Sequence, residues 1–444
     1  MMKKLFFPLI AIILTGCQES VYDRIKSYLD TIEIVDAHEH IQTPGDSTGF
    51  YFFNTISYFP NDISSAGAPS FEDLQKEKFD ADKLWNQFGE YYNYSRATNY
   101  HEQFMNSLRI LYDYDKPYLV KEDIKPLYDR MIRNNYKNYK EWFDVVYDKG
   151  NFKTMLLDQY WNQFNTQIDT TYFQLVCNIN TCVYLVNEAA ENKKITSDED
   201  LLKLMNQEVL ITKCLDDYTN LIDSVLNIFK RNGAVCIKNT LAYSRPLDFE
   251  DIDYSDANKI FNKKGALNEQ ENKQLQDFIF HHIIQQSMIL DLPIQIHTGY
   301  LAGNNSQLDN GQPMKLLNLF IKYPKARFIL FHGGYPWTGD YVAIGKNFTN
   351  VYLDIVWLPQ ISKTAAIRTL NELLDAVPYN KLMWGGDVLR IEDAVGSLEL
   401  GKEVVATVLS ERVENGWMTE ELALDIARSI FRDNATEVFC LKNN

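Results

Sequence analysis

The chain alternates between short apolar runs of strand character and longer stretches of helical character. Eight such runs can be counted, at residues 32–37, 152–157, 172–177, 234–238, 293–297, 328–332, 351–355 and 382–386. Consecutive strands joined by helical crossovers lie parallel, so this alternation specifies a parallel sheet built from βα units. Eight units close a (β/α)8 barrel, in which the loops that follow the strands share one face and build the active site. No Pro/Gly/Ser linker, low-complexity tract or short-period repeat divides the chain. The expectation is an α/β fold, a TIM-type barrel over residues 17–444.

Four of the runs lead into residues that bind metal ions. The first enters Asp36-Ala37-His38-Glu39-His40, the fifth ends at His297, the sixth at His332, and the eighth passes through Gly385-Gly386 into Asp387. His38 and His40 are two apart, so on a strand they face the same side. A single histidine at a strand end is more often a satisfied structural residue than a ligand. Here, however, four of the chain's seven histidines occupy strand ends, and packing does not explain that concentration. Imidazoles with a carboxylate suit a divalent metal, Zn²⁺ before Mn²⁺ or Co²⁺, as one ion or two. A metal held by His38, His40, His297 and Asp387 leaves a position open for water and lowers its pKa towards neutrality. Asp387 can take the proton as that water attacks and deliver it to the leaving group. A turn role after the two glycines is the bland use of the same Asp. His332 can hold a second ion or polarise the carbonyl under attack.

Between the first and second runs lies an insertion, residues 45–150, far longer than an ordinary βα connection and helical at 71–92 and 101–114. Insertions after barrel strands sit over the active-site face, so this one is expected to be a lid or specificity region. A second helical excursion spans 183–232. Past the fourth run, Tyr243 and Arg245 lie on the side where substrate must sit. Arg suits bidentate recognition of a carboxylate, and Tyr300 and Tyr335 offer hydroxyls on the fifth and sixth loops. Asp354 ends the seventh run, where it can orient a ligand histidine or cap a turn. His101, His281 and His282 read as structural. Asp and Glu number 60 against 44 Lys and Arg, which argues against nucleic acid or an anionic membrane surface as partner and leaves a small-molecule substrate. Self-association is left open.

At the N-terminus, Lys3 and Lys4 precede an apolar stretch, residues 5–14, and Leu14-Thr15-Gly16-Cys17 resembles a bacterial lipobox. Residues 1–16 are thus expected to be a lipoprotein signal peptide, with Cys17 lipidated as the membrane anchor. Gln18 favours the outer membrane, with the domain facing the periplasm or the cell surface. The other cysteines, Cys177, Cys182, Cys214, Cys236 and Cys440, are odd in number and do not form a disulfide framework.

The order His-x-His on the first strand, His on the fifth, His on the sixth and Asp on the eighth resembles the amidohydrolase superfamily of metal-dependent hydrolases, most closely its amidohydrolase-2-like branch. Residues 234–441 are also similar to the amidohydrolase-like domain fused to glutamine-synthetase-like proteins. That likeness runs through Lys238-Asn239-Thr240-Leu241-Ala242-Tyr243-Ser244-Arg245, His297-Thr298-Gly299-Tyr300 and His332-Gly333-Gly334-Tyr335-Pro336. The resemblance implies that Asp387 is both ligand and base. It also implies that Lys238, at the end of the fourth strand, bridges two ions as a carboxylated lysine or, unmodified, binds a substrate carboxylate. The superfamily includes deacylases, decarboxylases and uronate isomerases, so the fold does not select the reaction. The expected function is hydrolysis of an amide, ester or lactone in a small acidic molecule by metal-activated water. A uronate-isomerase-like or decarboxylase activity in the same pocket, or a non-catalytic tethered binding lipoprotein, are the alternatives.

Overall fold

The computed structural model describes residues 19–42, 58–69, 79–137 and 139–442. The expected signal segment with Cys17, and parts of the 45–150 insertion, lie outside the described residues. Each of the eight apolar runs overlaps a strand: β1 (Ile34–Glu39), β2 (Phe152–Leu157), β3 (Phe173–Asn178), β4 (Cys236–Asn239), β5 (Ile294–Ile296), β6 (Phe328–Leu330), β7 (Val351–Asp354) and β8 (Leu382–Met383). Each pairs in parallel with the next. The last meets the first through Ala37 N to Trp384 O (3.2 Å), Asp387 N to His38 O (2.9 Å) and His40 N to Val388 O (3.0 Å), which closes the (β/α)8 barrel.

Period-two alternation explains the layering. On β1, Ile34 packs outwards with the helices while Val35 and Ala37 face the interior cluster; on β6, Phe328 and Leu330 face out and Ile329 faces in. The sixth and eighth strands stop short of the ends of their apolar runs. Beyond them the chain turns left-handed, with φ 61° at His332 and 56° at Asp387, so both residues leave the ladder at the barrel mouth.

The insertion is helical where described, with helices Phe59–Ser65, Ala81–Ser95, Asn99–Tyr112, Lys121–Lys137 and Tyr139–Lys149. Its apolar faces are continuous with the barrel interior: Tyr58, Phe59, Phe104 and Leu108 share one buried cluster with Val35, Leu156, Phe331 and Trp357. The excursion at 183–232 carries helices Asn180–Asn192, Glu199–Leu204 and Leu215–Arg231, with a two-residue antiparallel ladder between Lys194–Ile195 and Leu210–Ile211. All five described cysteines are free. Among the described residues, no helix is long and apolar enough to cross a membrane.

Helix–strand packing is close enough to be tested at one contact. Leu353 of β7 is fully buried, and a Cβ at Gly345 of helix Thr338–Asn347 would lie 2.2 Å from its Cδ1. Leu353→Ala should destabilise by about 2–5 kcal/mol through the cavity it leaves, and Gly345→Ala by about 1–3 kcal/mol through overpacking. Because the new methyl fills part of the space vacated by Leu353, urea unfolding of the double variant should show less loss than the sum of the two single losses.

Candidate metal centre

Backbone carbonyls decide which nitrogen three of the four clustered histidines offer. His40 Nδ1–H donates to Asp158 O (2.8 Å), His332 Nδ1–H to Val356 O (3.0 Å) and His297 Nε2–H to Tyr300 O (2.8 Å). A carbonyl only accepts, so the opposite nitrogen of each neutral ring carries a lone pair. These lone pairs converge. His332 Nε2 lies 3.1 Å from His297 Nδ1, and His40 Nε2 lies 3.2 Å from His38 Nε2. Asp387 Oδ1 is 3.3 Å from His40 Nε2 and 3.6 Å from His38 Nε2, while its Oδ2 is 3.7 Å from His332 Nε2. Lys238 Nζ donates to His38 Nε2 (3.1 Å) and lies 3.5 Å from the centre of the Phe331 ring.

Buried acceptors aimed at one another repel unless a cation stands among them. The donor set therefore fits a metal ion, and His38, His40 and Asp387 form its tightest part, with one ligand atom from each within 4.8 Å of the others. His332 extends this group through Asp387, and His297 extends it through His332. The five expected ligands are thus brought together from the ends of β1, β5, β6 and β8.

Electrostatics agree with that assignment. Burial pushes His38 and His297 well below the usual imidazole range, helped by Lys238 beside the first and His332 beside the second. Burial takes His332 down to about 4. For His40, burial acts downwards too, but the Asp387 carboxylate 3.3 Å away and the nearby Asp158 outweigh it and raise the ring. For Asp387, burial acts upwards, yet His40 beside it (3.3 Å) and the fields of His38 and His332 hold it well below the carboxylate range. Burial lowers Lys238 to about 8. With Nδ1–H committed to Val356 and the ring neutral, His332 presents an acceptor. In that state it is disposed to ligate, one of the two roles expected of it.

Asp354 does both things the sequence left open. Its Oδ1 accepts from Val356 N (2.8 Å), and that turn aims the Val356 carbonyl at His332. Asp158 and Asn178, at the ends of β2 and β3, were missed. Asp158 supplies the carbonyl for His40, and Asn178 Nδ2 donates to its carboxylate (3.0 Å).

A cavity of about 370 Å³ opens beside the centre, lined by residues that follow β1–β5 and β8. His40, His297 and Asp387 form its floor, while Gln163, Asn180, Thr240 and Ser244 give it a polar wall. Tyr243 lines it as expected, its ring 4.8 Å from that of His297 and its hydroxyl accepting from Ala302 N (3.1 Å). Tyr160 and Tyr58 were not anticipated. Tyr160 packs edge-on against His40 (5.0 Å), and Tyr58 comes from the insertion and lies against Trp357 (4.7 Å).

Arg245 is a correction. Its guanidinium is paired with Asp277, donates to Gln276 Oε1 (3.1 Å) and lies over the Phe249 ring, all away from the cavity. Its short distance in sequence from the fourth strand said nothing of its direction. Tyr300 and Tyr335 do not line the cavity either; Tyr300 contributes its carbonyl instead. His101, His281 and His282 bond Tyr92, Tyr323 and Asp223 respectively, apart from the centre.

Residues 271–441 match the family model described as amidohydrolase. Protein fluG of Emericella nidulans is 26% identical over 222 residues, covering 47% of this chain and 26% of that protein, so the match spans about a quarter of its length. Two solved structures share the fold across nearly the whole chain. Uronate isomerase from Thermotoga maritima has a TM-score of 0.76 at 14% identity, covering 94% of this chain and 97% of that one. Glucuronate isomerase from Caulobacter crescentus has a TM-score of 0.72 at 12% identity, covering 96% of this chain and 94% of that one. At such identities the structural likeness speaks to fold alone. The family-model match is a likeness to amidohydrolases over the C-terminal part of the chain.

The new place of Arg245 changes what its loss should do. Asp277 is fully buried and would keep Lys273 Nζ (2.7 Å) and Glu250 N (3.0 Å) as partners. Breaking a buried pair costs about 3–5 kcal/mol, and the remaining lysine should hold the loss near the lower end. Arg245→Ala should therefore lower the denaturation midpoint and leave KM for carboxylate-bearing substrates unchanged. A stable variant with a selectively raised KM would return Arg245 to the substrate.

Proposed function

We propose that this chain is a metal-dependent hydrolase of the amidohydrolase type, acting on an amide, ester or lactone of a small polar molecule. The observation that carries the reading is the gathering of His38, His40 and Asp387 within 4.8 Å of one another, with His332 beside Asp387 and His297 beside His332. His38, His40, His297, His332 and Asp387 are the proposed ligands. A divalent ion there, Zn²⁺ first, supplies Lewis-acid polarisation and lowers the pKa of water. Asp387, held ionised, accepts a proton from the attacking water and returns it to the leaving group. Tyr243 accepts from Ala302 N and so keeps its own proton to donate towards a substrate oxygen. Gln163, Asn180, Thr240 and Ser244 orient the rest of the substrate. Lys238 either bridges a second ion as a carboxylated lysine or serves as a donor to His38; one ion per chain with an unmodified Lys238 would remove the bridging role.

The acidic substrate expected from the sequence rested largely on Arg245, and its pairing with Asp277 withdraws that support. A second reading, isomerisation of a uronate, is favoured by the length-wide fold likeness to uronate isomerases and by a polar wall suited to hydroxyl groups. A binding protein without turnover would be expected to lack at least one of the five ligands, and all are present. We further propose an exported lipoprotein anchored through Cys17, and that the insertion acts as a lid, supported by Tyr58 at the cavity.

Activity of the metal-loaded protein should be screened over acyl-amino acids, lactones and uronates. His38→Ala, His297→Ala and Asp387→Ala should each abolish turnover and lower bound metal, and His332→Ala should now do the same. A protein that binds no Zn²⁺, Mn²⁺ or Co²⁺, and gains neither activity nor stability from them, would sink the reading.

Metal affinity should also depend on pH in a defined direction. A ligand must be deprotonated to bind, and His40 is the ring raised above the ordinary value of 6.5, so it competes first. Affinity should begin to fall above pH 6.5 as pH decreases, with about one proton taken up per ion released in that range. His332, lowered to about 4, should add to the slope only in more acidic solution. Affinity flat down to pH 5 would contradict this order.

A further inference from the structure

Three side chains on the polar wall of the cavity have their oxygens engaged from behind by the protein itself. A backbone amide only donates, so the side-chain amide atom it meets is the oxygen. Thr181 N donates to Gln163 Oε1 (3.1 Å), and Thr240 N donates to Asn180 Oδ1 (3.0 Å). Both carboxamides are thereby fixed, with the nitrogen on the other arm. Asn180 Nδ2 in turn donates to Thr240 Oγ1, so the threonine proton has to point elsewhere. Gln163 Nε2 gives one hydrogen to Tyr160 O at 3.4 Å.

A count of hydrogens then leaves one each on Gln163 Nε2, Asn180 Nδ2 and Thr240 Oγ1 with no acceptor among the described residues. The three residues line the cavity from the turns that follow β2, β3 and β4. They are also tied to the centre. Asn180 N donates to Asn178 Oδ1 (3.1 Å), Asn178 Nδ2 donates to the Asp158 carboxylate (3.0 Å), and the Asp158 carbonyl holds His40. The wall therefore keeps its place relative to the candidate ligands.

Free hydrogens held in this way call for an acceptor. A ketone, ester, amide or carboxylate oxygen accepts two hydrogens and brings none of its own, whereas a hydroxyl brings a proton that would meet another donor. We propose that Gln163, Asn180 and Thr240 form a donor-presenting subsite that selects substrates carrying a second carbonyl or carboxylate group, besides the carbonyl attacked at the metal. This rests on the cavity being the substrate site of the proposed hydrolase, and it names a feature of that substrate.

The test uses the full chain loaded with Co²⁺, whose visible absorption reports a hydroxamate binding at the centre without turnover. The probes are pentanoyl, 4-oxopentanoyl and 4-hydroxypentanoyl hydroxamic acids, with the hexanoyl, 5-oxohexanoyl and 5-hydroxyhexanoyl set for longer reach. In at least one set the keto probe should bind on the order of tenfold tighter than the alkyl probe, the worth of one or two neutral hydrogen bonds. It should also bind tighter than the hydroxyl probe. Asn180→Asp and Gln163→Glu keep the oxygen that meets the backbone amide and place an acceptor where a hydrogen stood. Both positions lie at the N-terminus of helix Asn180–Asn192, where added negative charge is tolerated. Each variant should reverse the order, with the hydroxyl probe above the keto probe, and Thr240→Val should shrink the keto advantage about threefold. A purely structural role would weaken all probes together. Equal affinity for keto and alkyl probes at both lengths overturns the proposal, as does a keto preference unchanged in both acidic variants. If one acidic variant does not fold the other decides, and if neither folds the wild-type ranking decides. Absence of any spectral change with all probes would overturn the metal reading, and this inference with it.

Discussion

Three backbone carbonyls, those of Asp158, Tyr300 and Val356, govern the chemistry at the mouth of this barrel. Each fixes one histidine in the tautomer that turns a lone pair towards the centre. None belongs to the strand that carries its histidine except that of Tyr300, so correct pairing of the neighbouring strands is a condition for the site. Asp158 reaches His40 because β2 lies beside β1, where Asp158 N donates to Glu39 O (2.9 Å). A single hydrogen bond of this kind contributes only about 0.5–1.5 kcal/mol net. Its chemical effect is larger, because a flipped tautomer would replace a ligand lone pair with an N–H.

The same mouth holds a run of strained residues. His332, Trp357 and Asp387 all have left-handed φ without being glycine, a state that costs of order 1–3 kcal/mol each. What holds them is packing from outside the barrel proper. Trp357 is fully buried and lies against Tyr58, Tyr100 and His332, so the insertion presses on the turn that follows β7. The long excursion after β1 thereby connects cavity shape to ligand geometry: Tyr58 lines the cavity on one side and packs on Trp357 on the other.

The strands were legible because a buried parallel strand is a short apolar run, and the candidate metal ligands were legible because they sit where such runs end. Asp158 and Asn178 obey the same rule, following Met155-Leu156-Leu157 and Leu175-Val176-Cys177. They escaped notice because neither is a histidine, and their work is to support a ligand. Arg245 shows the opposite failure. A loop residue can turn towards the cavity or towards the outer helices, and only the buried Asp277 on helix Glu269–Ile289 decides which. Tyr58 had no sequence signal of its own, since nothing local says which residue of an insertion folds back over the mouth.

Charge selectivity at this site has an unusual source. Among the described residues lining the cavity there is no Lys or Arg, and the donors are Tyr, Gln, Asn, Thr and Ser. The chain as a whole carries a formal charge of −16, which opposes the approach of anions. Under the proposed assignment, neutral imidazoles with one carboxylate would leave a divalent ion one unit of positive charge, weakly screened where the site is buried. Attraction for an electron-rich oxygen then comes from the centre itself, and the walls add direction. Under the proposed function such a site would sort substrates by where their carbonyl can be presented and by how their hydroxyl or amide groups meet Gln163, Asn180 and Thr240, with net charge a weaker criterion.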